Sequence, residues 1–297
     1  MIINDTQVQT LIEALPYLRD FKDKTIVVKY GGNAMLNDQI KNKVLQDIVF
    51  LQGAGMRPVV VHGGGPEITA MLMQAGKKSE FVSGLRVTDA ESVGIAEMAL
   101  VGKINTDLVA RLNTLGGRAV GLNGKDANLV QAKKHLADVY ENGEVNLVDI
   151  GYVGNVEHVN TDLIEVLLAN GFIPVIAPTG VGSSGETYNI NADSVAGEIA
   201  GALKAEKLLV LTDVRGIYSD YRDENSFIST LTFEKAQELI IRGKIDGGMI
   251  PKVRACITAL SGGAKKTHII DGRAEHTILM EIFSDRGVGT EVVKELR

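Results

Sequence analysis

The sequence predicts a three-layer α/β sandwich with a mainly parallel central sheet, and three observations predict it. Short β-branched runs alternate with segments of helical periodicity along the whole chain. Two of those runs, residues 26–28 and 59–61, read as buried strands, and each ends in glycines, at Gly31-Gly32 and at Gly63-Gly64-Gly65. Parallel strands that end alike put their loops on one sheet edge, the edge where open α/β sheets bind ligands. At 297 residues the chain has room for one large domain or two lobes.

The elements follow in order. Val8, Leu11, Ile12, Leu15 and Leu18 keep helical spacing behind Asn4, Asp5 or Thr6 as caps. Pro16 is expected to kink or end that helix. A helix placed before the first core strand packs on its own domain or joins subunits, and the residues leave both open. Ile40, Val44, Leu45 and Ile48 mark a second helix ending near Gly53. Pro66 suits the first turn of a third, with Ile68, Met71, Leu72 and Ala75 as its apolar face. Residues 81–88 read as a loop or short hairpin carrying Arg86, residues 90–113 as one long helix stopped by Gly116-Gly117, and residues 118–122 as a strand. Residues 143–159 read as hairpins. Asn160 caps a helix that Gly171 stops, and residues 172–177 form a core strand whose Pro174 must avoid a ladder position. A glycine-rich hairpin leads to Asn189, and a helix starts at Ala192. Strands are expected at 207–212 and 266–271, helices at 233–240, 249–260 and 275–283, and a closing strand at Val292-Val293.

Composition narrows the function. With 45% hydrophobic and 23% charged residues the chain reads as a soluble globular protein. A net charge of -6 argues against generic nucleic-acid binding and obliges any anionic substrate to meet a local cluster of cations. The single cysteine, Cys256, excludes an internal disulfide and a cysteine metal cluster. Beside Val253, Ile257 and Leu260 it reads as inert core. The five histidines lack metal-ligand spacing, so no protein metal site is expected. No apolar run is long enough to span a membrane, and residues 1–5 lack a signal peptide's basic region. The cytoplasm is the expected location, with a plastid stroma as the alternative.

Three motifs are decoys. Residues 180–185 spell G-x-G-x-x-G, but a strand follows where the dinucleotide fingerprint needs a helix. Residues 262–267 resemble a P-loop fragment without its upstream glycine. His62-Gly-Gly-Gly65 has no G-x-S-x-G elbow to serve.

Real signals stand at element ends. Lys29 closes a strand beside inward-turning glycine amides, which suits a phosphate or another oxyanion. Lys252 falls in the first turn of a helix behind Gly247-Gly248. A cation there repels the positive end of the helix unless an anion sits between them. Asn189 and Asp193 stand around another helix start.

The segments around Lys29, His62 to Pro66, Arg86, Asn189 to Asp193 and Gly247 to Lys252 together resemble the amino acid kinase family, over about residues 17–290. Within it the chain is similar to the branch that phosphorylates N-acetyl-L-glutamate. Each motif alone is weak, and the five in this order are specific. The resemblance implies an oligomerisation helix over 1–22, an N-terminal lobe over 23–200 that binds N-acetyl-L-glutamate and dimerises, and a C-terminal lobe over 201–297 that binds ATP. It implies Gly64 and Gly65 amides on the reacting γ-carboxylate, the Arg86 fork on the α-carboxylate, and Asn189 near the same end. Lys29 and Lys252 would flank the transferring phosphoryl group, with Asp193 orienting both. Gly31, Gly32, Asp213, Gly216, Tyr218, Lys244, Asp246 and Met249 would contact the nucleotide, its Mg2+ held mainly by the phosphates. No general base is required, because a glutamate-type carboxylate with a pKa of about 4.3 is an anion at neutral pH. Relatives with an N-terminal helix resemble hexamers, trimers of dimers, that L-arginine inhibits. Tyr17, His268, Glu281, Gly287 and Gly289 would then bind arginine. Some such relatives also bind a PII signal protein. The competing readings are a sister kinase acting on glutamate, aspartate, carbamate or UMP, and a non-catalytic arginine sensor, against which the retained Lys29, Asp193 and Lys252 argue.

Overall fold

The structure is a computed structural model that describes residues 4–31, 35, 37–141, 144–220, 222–285 and 287–295. Helix α1 (Asp5–Asp20) precedes β1 (Thr25–Tyr30), α2 (Asp38–Gly53), β2 (Arg57–His62) and α3 (Gly65–Gln74). A hairpin follows, β3 (Phe81–Val82) and β4 (Leu85–Arg86). Then comes one helical run: α4 (Ala90–Glu97), a π-helical segment (Met98–Asn105) and α5 (Thr106–Thr114). After β5 (Ala119–Asn123), the strands β6 (Val130–Glu141) and β7 (Glu144–Val159) form a long hairpin. The chain continues through α6 (Asp162–Ala169), β8 (Ile173–Ala177), β9 (Thr179–Val181), β10 (Thr187–Asn189) and α7 (Ala192–Ala202). Next are β11 (Lys207–Thr212), β12 (Ile217–Tyr218), β13 (Phe227–Ile228), β14 (Thr230–Thr232), α8 (Phe233–Ile241) and α9 (Met249–Gly262). The last elements are β15 (Lys266–Asp271), α10 (Thr277–Ile282) and β16 (Thr290–Val293).

Eight strands form the central sheet in the order β14-β16-β15-β11-β1-β2-β8-β5. All its pairings are parallel except β15 with β16. The β-branched runs of β1 and β2 sit at its centre because both their faces are buried. Alternation then splits the side chains between two cores. Val27, Val59, Val61, Leu208 and Val210 pack with Val195 and Ile199 of α7 and Val253 and Cys256 of α9. Ile26, Val28, Val60 and Leu209 pack with Leu45 and Ile48 of α2, Ile68 and Leu72 of α3, and Leu108 of α5. Helices on both faces make the three layers that the alternating pattern predicts.

Local chemistry explains the agreements and the departures. Asn4 caps α1, accepting from the Gln7 N–H at 2.9 Å while the Gln7 side chain accepts from the Asn4 N–H. Pro16 does not end α1, which runs on to Asp20. Pro174 is tolerated in an interior strand. Ile173 N–H donates to Arg118 O, so the next residue turns its missing donor toward β2, whose register with β8 begins only at Val60 and Val175. The predicted long helix over 90–113 is present, with a π-helical middle that spacing did not announce. Strand β6 escaped the pattern because Lys133, Lys134 and His135 break its alternation; it is held by pairing with β7 and β9 in a small closed barrel. Gly143, where the hairpins were expected to begin, lies outside the described residues. The G-x-G-x-x-G decoy is the turn of the β9–β10 hairpin, closed by Gly182 N–H donating to Glu186 O.

Helices α7 and α9 touch backbone to backbone. A Cβ on Gly197 would lie 2.6 Å from Ala255 O and 3.0 Å from its Cα. Gly197→Ala improves helix propensity by up to about 1 kcal/mol, but the clash with rigid backbone costs about 1–3 kcal/mol and dominates. The variant is expected to melt at a lower temperature than the wild type in a thermal scan, and an unchanged or raised midpoint would show that the two helices separate freely.

Candidate active site

Strands β1 and β2 lie in register with Tyr30 opposite His62, so their loops leave the sheet side by side. Gly63 N–H donates to Tyr30 O at 2.7 Å and ties the two loops together. Gly64 precedes α3, and Pro66 occupies its first turn as predicted. A Cβ at position 64 would lie 2.4 Å from Ile104 Cδ1 and 2.7 Å from Leu100 Cδ2, so both side chains would have to shift to admit one. The positive end of α3 faces a cavity of about 310 Å3, whose lining includes Lys29, Gly64, Gly65, Arg86, Asn189 and Asp193.

Three elements bring charge together here, and two of the charged residues, Lys29 and Asp193, line the cavity. Lys29 Nζ lies 2.9 Å from Asp193 Oδ1, and Lys252 Nζ lies 3.1 Å from Asp193 Oδ2. Asn191 caps α7, its side chain accepting from the N–H of Asp193 at 2.8 Å and of Ser194 at 3.3 Å. That cap fixes the turn that carries Asp193. Burial opposes charge on Asp193, but Lys29 and Lys252 outweigh it and hold its carboxyl below the usual carboxylate range. Burial pushes Lys29 below its ordinary value against the pull of Asp193.

Arg86 is buried, and the structure supplies partners that its sequence context did not reveal. It donates to Ser79 Oγ, to Gly65 O at 3.0 Å and to Thr69 Oγ1 at 2.8 Å, and its guanidinium lies 4.7 Å from the Phe81 ring centroid. The hairpin that carries it is anchored on β7. Thr88 N–H donates to Ile150 O at 2.9 Å, and Tyr152 N–H donates to Thr88 O at 2.7 Å.

The residues expected at the nucleotide are placed less tightly. Gly31 stands beside Lys29, a Cβ on it meeting Lys29 Nζ at 2.9 Å. Asp213 follows β11 close enough to act electrostatically on Lys29. Gly216 packs under Thr290, Tyr218 stacks edge-on against Phe227 at 5.5 Å, and Lys244 and Asp246 are exposed before α9, which Met249 opens. None of these seven lines the cavity around Arg86. Gly32 lies outside the described residues.

The residues expected at arginine do come together, around α10. Tyr17 Oη donates to Asp285 at 2.6 Å, and its ring lies 6.0 Å from that of Phe283. Glu281 is 2% exposed, and its carboxylate meets His268 Nδ1 at 2.8 Å, Lys207 Nζ at 3.5 Å and Val288 N–H at 2.9 Å. A Cβ on Gly287 would press on that carboxylate, and one on Gly289 would press on Ile269 O. Sequence reading missed Lys207, although a lysine opening an otherwise apolar strand was its available signal. Among the described residues no cluster of three His, Cys, Asp or Glu side chains is placed to hold a metal, and no helix is long and apolar enough to cross a membrane. Cys256 is buried, its thiol pushed up to about 12 by burial, as an inert core residue would be.

Residues 24–271 match the model of the amino acid kinase family. The chain belongs to the amino acid kinase family. Among its relatives, the acetylglutamate kinase of Moorella thermoacetica is 59% identical over 283 residues, covering 95% of this chain and 96% of that one. The acetylglutamate kinase of Pelotomaculum thermopropionicum is 56% identical over 285 residues, covering 96% and 97%. N-acetylglutamate synthase from Neisseria gonorrhoeae, solved with coenzyme A and N-acetyl-glutamate, superposes with a TM-score of 0.82 at 27% identity over 98% of this chain; the chain spans 64% of that protein's length. Carbamate kinase from Giardia lamblia bound to AMP-PNP, at 19% identity and a TM-score of 0.65, shares the fold over 92% of this chain and 99% of that one. The amino acid kinase fold predicted from the motifs is therefore the fold of this chain.

The buried Glu281 gives a pH signature. Burial works against its charge, but His268, the Val288 N–H and Lys207 hold its carboxyl down to about 2 from an ordinary 4.5. A depressed carboxyl adds stability that is complete above the unfolded value and is lost as pH falls through the folded one. In urea unfolding, the stability advantage of wild type over Glu281→Gln is expected to be constant above about pH 5.5 and to shrink steadily as pH falls toward about 2. An advantage independent of pH over that range would show that the carboxyl is not held ionised.

Proposed function

We propose that this chain acts as an acetylglutamate kinase, moving the γ-phosphoryl group of MgATP to the γ-carboxylate of N-acetyl-L-glutamate and so forming N-acetyl-L-glutamyl 5-phosphate for arginine biosynthesis. The observation that carries the reading is the Lys29–Asp193–Lys252 chain of ion pairs beside a cavity that also holds the Gly64 and Gly65 backbone and Arg86. Relatives of that name match over nearly the whole chain.

The reaction joins two anions, so the barrier lies in repulsion and alignment rather than in proton removal. Amides at the start of α3 receive the reacting carboxylate, and Arg86 receives the α-carboxylate. Asn189 lines the same cavity. Lys29 and Lys252 flank the transferring group and offset the charge that builds on it, while Asp193 fixes where both ammonium groups stand. Asp213, Gly216, Tyr218, Lys244, Asp246 and Met249 serve the nucleotide on the C-terminal side, over residues 201–297, Gly31 and Gly32 reach it from the loop after β1, and the acyl substrate belongs to residues 23–200. The metal arrives with ATP, whose phosphates are its oxygen ligands.

The same reading includes regulation. Helix α1 buries none of its residues and exposes Val8, Leu11, Ile12 and Leu15 along one face. A stripe of that kind supports a contact between dimers in a hexamer. Tyr17, His268, Glu281, Gly287 and Gly289, gathered around α10, form the site for L-arginine as feedback inhibitor. Such an enzyme works in the cytoplasm.

An assay coupled to ADP release is expected to show turnover that depends on N-acetyl-L-glutamate and is not supported by glutamate, aspartate, carbamate or UMP; no turnover with the acetylated substrate would end the proposal. Lys29→Ala and Lys252→Ala should each lower kcat by about 100-fold or more with KM little changed. Arg86→Lys, which keeps the charge and loses the fork, should raise KM for N-acetyl-L-glutamate and leave that for ATP alone. Removing residues 1–20 is expected to yield an active dimer in analytical ultracentrifugation, with weakened inhibition by arginine. A full-length protein that sediments as a dimer and ignores arginine would refute the regulatory part while leaving the catalytic part standing.

A further inference from the structure

His62 closes β2 one residue before the glycine loop and is completely buried. Its two ring nitrogens have different partners. Nδ1 lies 2.9 Å from Gly63 O, and Nε2 lies 3.1 Å from Asn105 Nδ2. The identity of the Asn105 atom is fixed by its other neighbours. The same nitrogen lies 2.8 Å from Val175 O and 3.4 Å from Leu122 O, and carbonyl oxygens only accept. Asn105 therefore donates to Nε2, Nε2 is the acceptor, and the proton of the neutral ring is on Nδ1, donated to Gly63 O. Burial keeps the ring neutral, its pKa pushed down to about 4.

The consequence falls on the next amide. In a trans peptide the C=O of Gly63 and the N–H of Gly64 point in opposite directions in one plane. A carbonyl held toward the core by His62 turns the Gly64 N–H away from it. Among the described residues neither the Gly64 N–H nor the Gly65 N–H has a hydrogen-bond partner. Both residues line the cavity. The second support is steric. Asn105 ends the π-helical segment whose Leu100 and Ile104 press on Gly64, and π-helical turns of this kind occur often at functional sites. One short segment thus both sets the His62 tautomer and bounds the glycine that His62 orients.

Resting on the kinase reading above, we propose that His62, held in one tautomer by Asn105, is a positioning residue that aims the Gly64 amide at the reacting carboxylate. It touches no substrate itself. Its effect is to pre-orient a donor, so the donor need not reorganise when charge moves from the carboxylate to the phosphoryl group.

The test compares two substitutions by steady-state kinetics and thermal melting. In His62→Asn the side-chain amide nitrogen can stand where Nδ1 stands and donate to Gly63 O. In His62→Leu no donor remains. Both lose the Asn105 contact, so both should melt below the wild type. His62→Leu is expected to lose about 10-fold or more in kcat with the KM for ATP unchanged, and His62→Asn to retain most of it. Equal kcat in the two variants, whether both high or both low, would overturn the proposal, because activity would then follow packing rather than donation. If His62→Leu does not fold, His62→Ala, which also leaves no donor, supplies the reading: it should lower kcat in the same way, whereas wild-type kcat would refute the idea. Wild-type protein without turnover on N-acetyl-L-glutamate would remove the kinase reading itself, while an active wild type with indifferent variants would remove only the role of His62.

Discussion

A buried carboxylate between two lysines is the constraint around which the rest is arranged. Asp193 is 5% exposed and Lys29 is 5% exposed. Charges so far from water persist only when paired. The pairing demands that β1, α7 and α9 meet within hydrogen-bonding distance, although they are distant in sequence. Adjacent strands β1 and β11 bring the two halves of the sheet together. The glycine contact between α7 and α9 sets the distance from Asp193 to Lys252, and the Asn191 cap sets the direction of the Asp193 side chain. Two cations against one carboxylate leave a surplus of positive charge beside the positive end of α3. A protein of net charge -6 thereby offers anions one locally attractive place.

Much of this was legible in the sequence for reasons that can be named. Fully buried strands such as β1, β2, β8 and β11 appear as unbroken apolar runs because both faces are covered. Helix ends were visible where glycine or a capping side chain stands. Lys29 and Lys252 stood out because cations at such element ends are wrongly placed without an anion. The parts that stayed hidden depend on tertiary partners. Strand β6 is polar along much of its length and is held by its neighbours in the barrel, so no periodicity marks it. The π-helical segment differs from the α-helices around it in its backbone hydrogen bonds, which side-chain spacing does not announce. Ser79 and Thr69 at Arg86, and Lys207 at Glu281, are ordinary residues in sequence that become specific by where the chain returns.

The two candidate sites differ in how they hold charge. At Asp193 the carboxylate is shared by two cations, and Asp193 and Lys29 line a cavity, so the arrangement is open to a third party. At Glu281 the carboxylate is enclosed by Lys207, His268 and the Val288 amide. A ligand that takes Glu281 must displace an existing partner, and its net contribution is the difference between two pairings rather than the whole of one. Occupancy there is coupled to how α10 sits, because Glu281 is on that helix and the Gly287 loop closes over it.

The register of β1 has a consequence for how the chain is made. Ile26 pairs with Pro58 on one side and with Lys207 on the other. The first neighbour is synthesised soon after β1, and the second about 180 residues later. At elongation rates of about 5–20 residues per second, the nascent chain carries an apolar strand edge for roughly 10–40 s before β11 can cover it. An uncovered edge of this kind is a template for pairing with another chain. A protein whose central strand waits for its partner is exposed to that hazard during every round of translation, so its yield in a cell depends on what shields β1 in the interval.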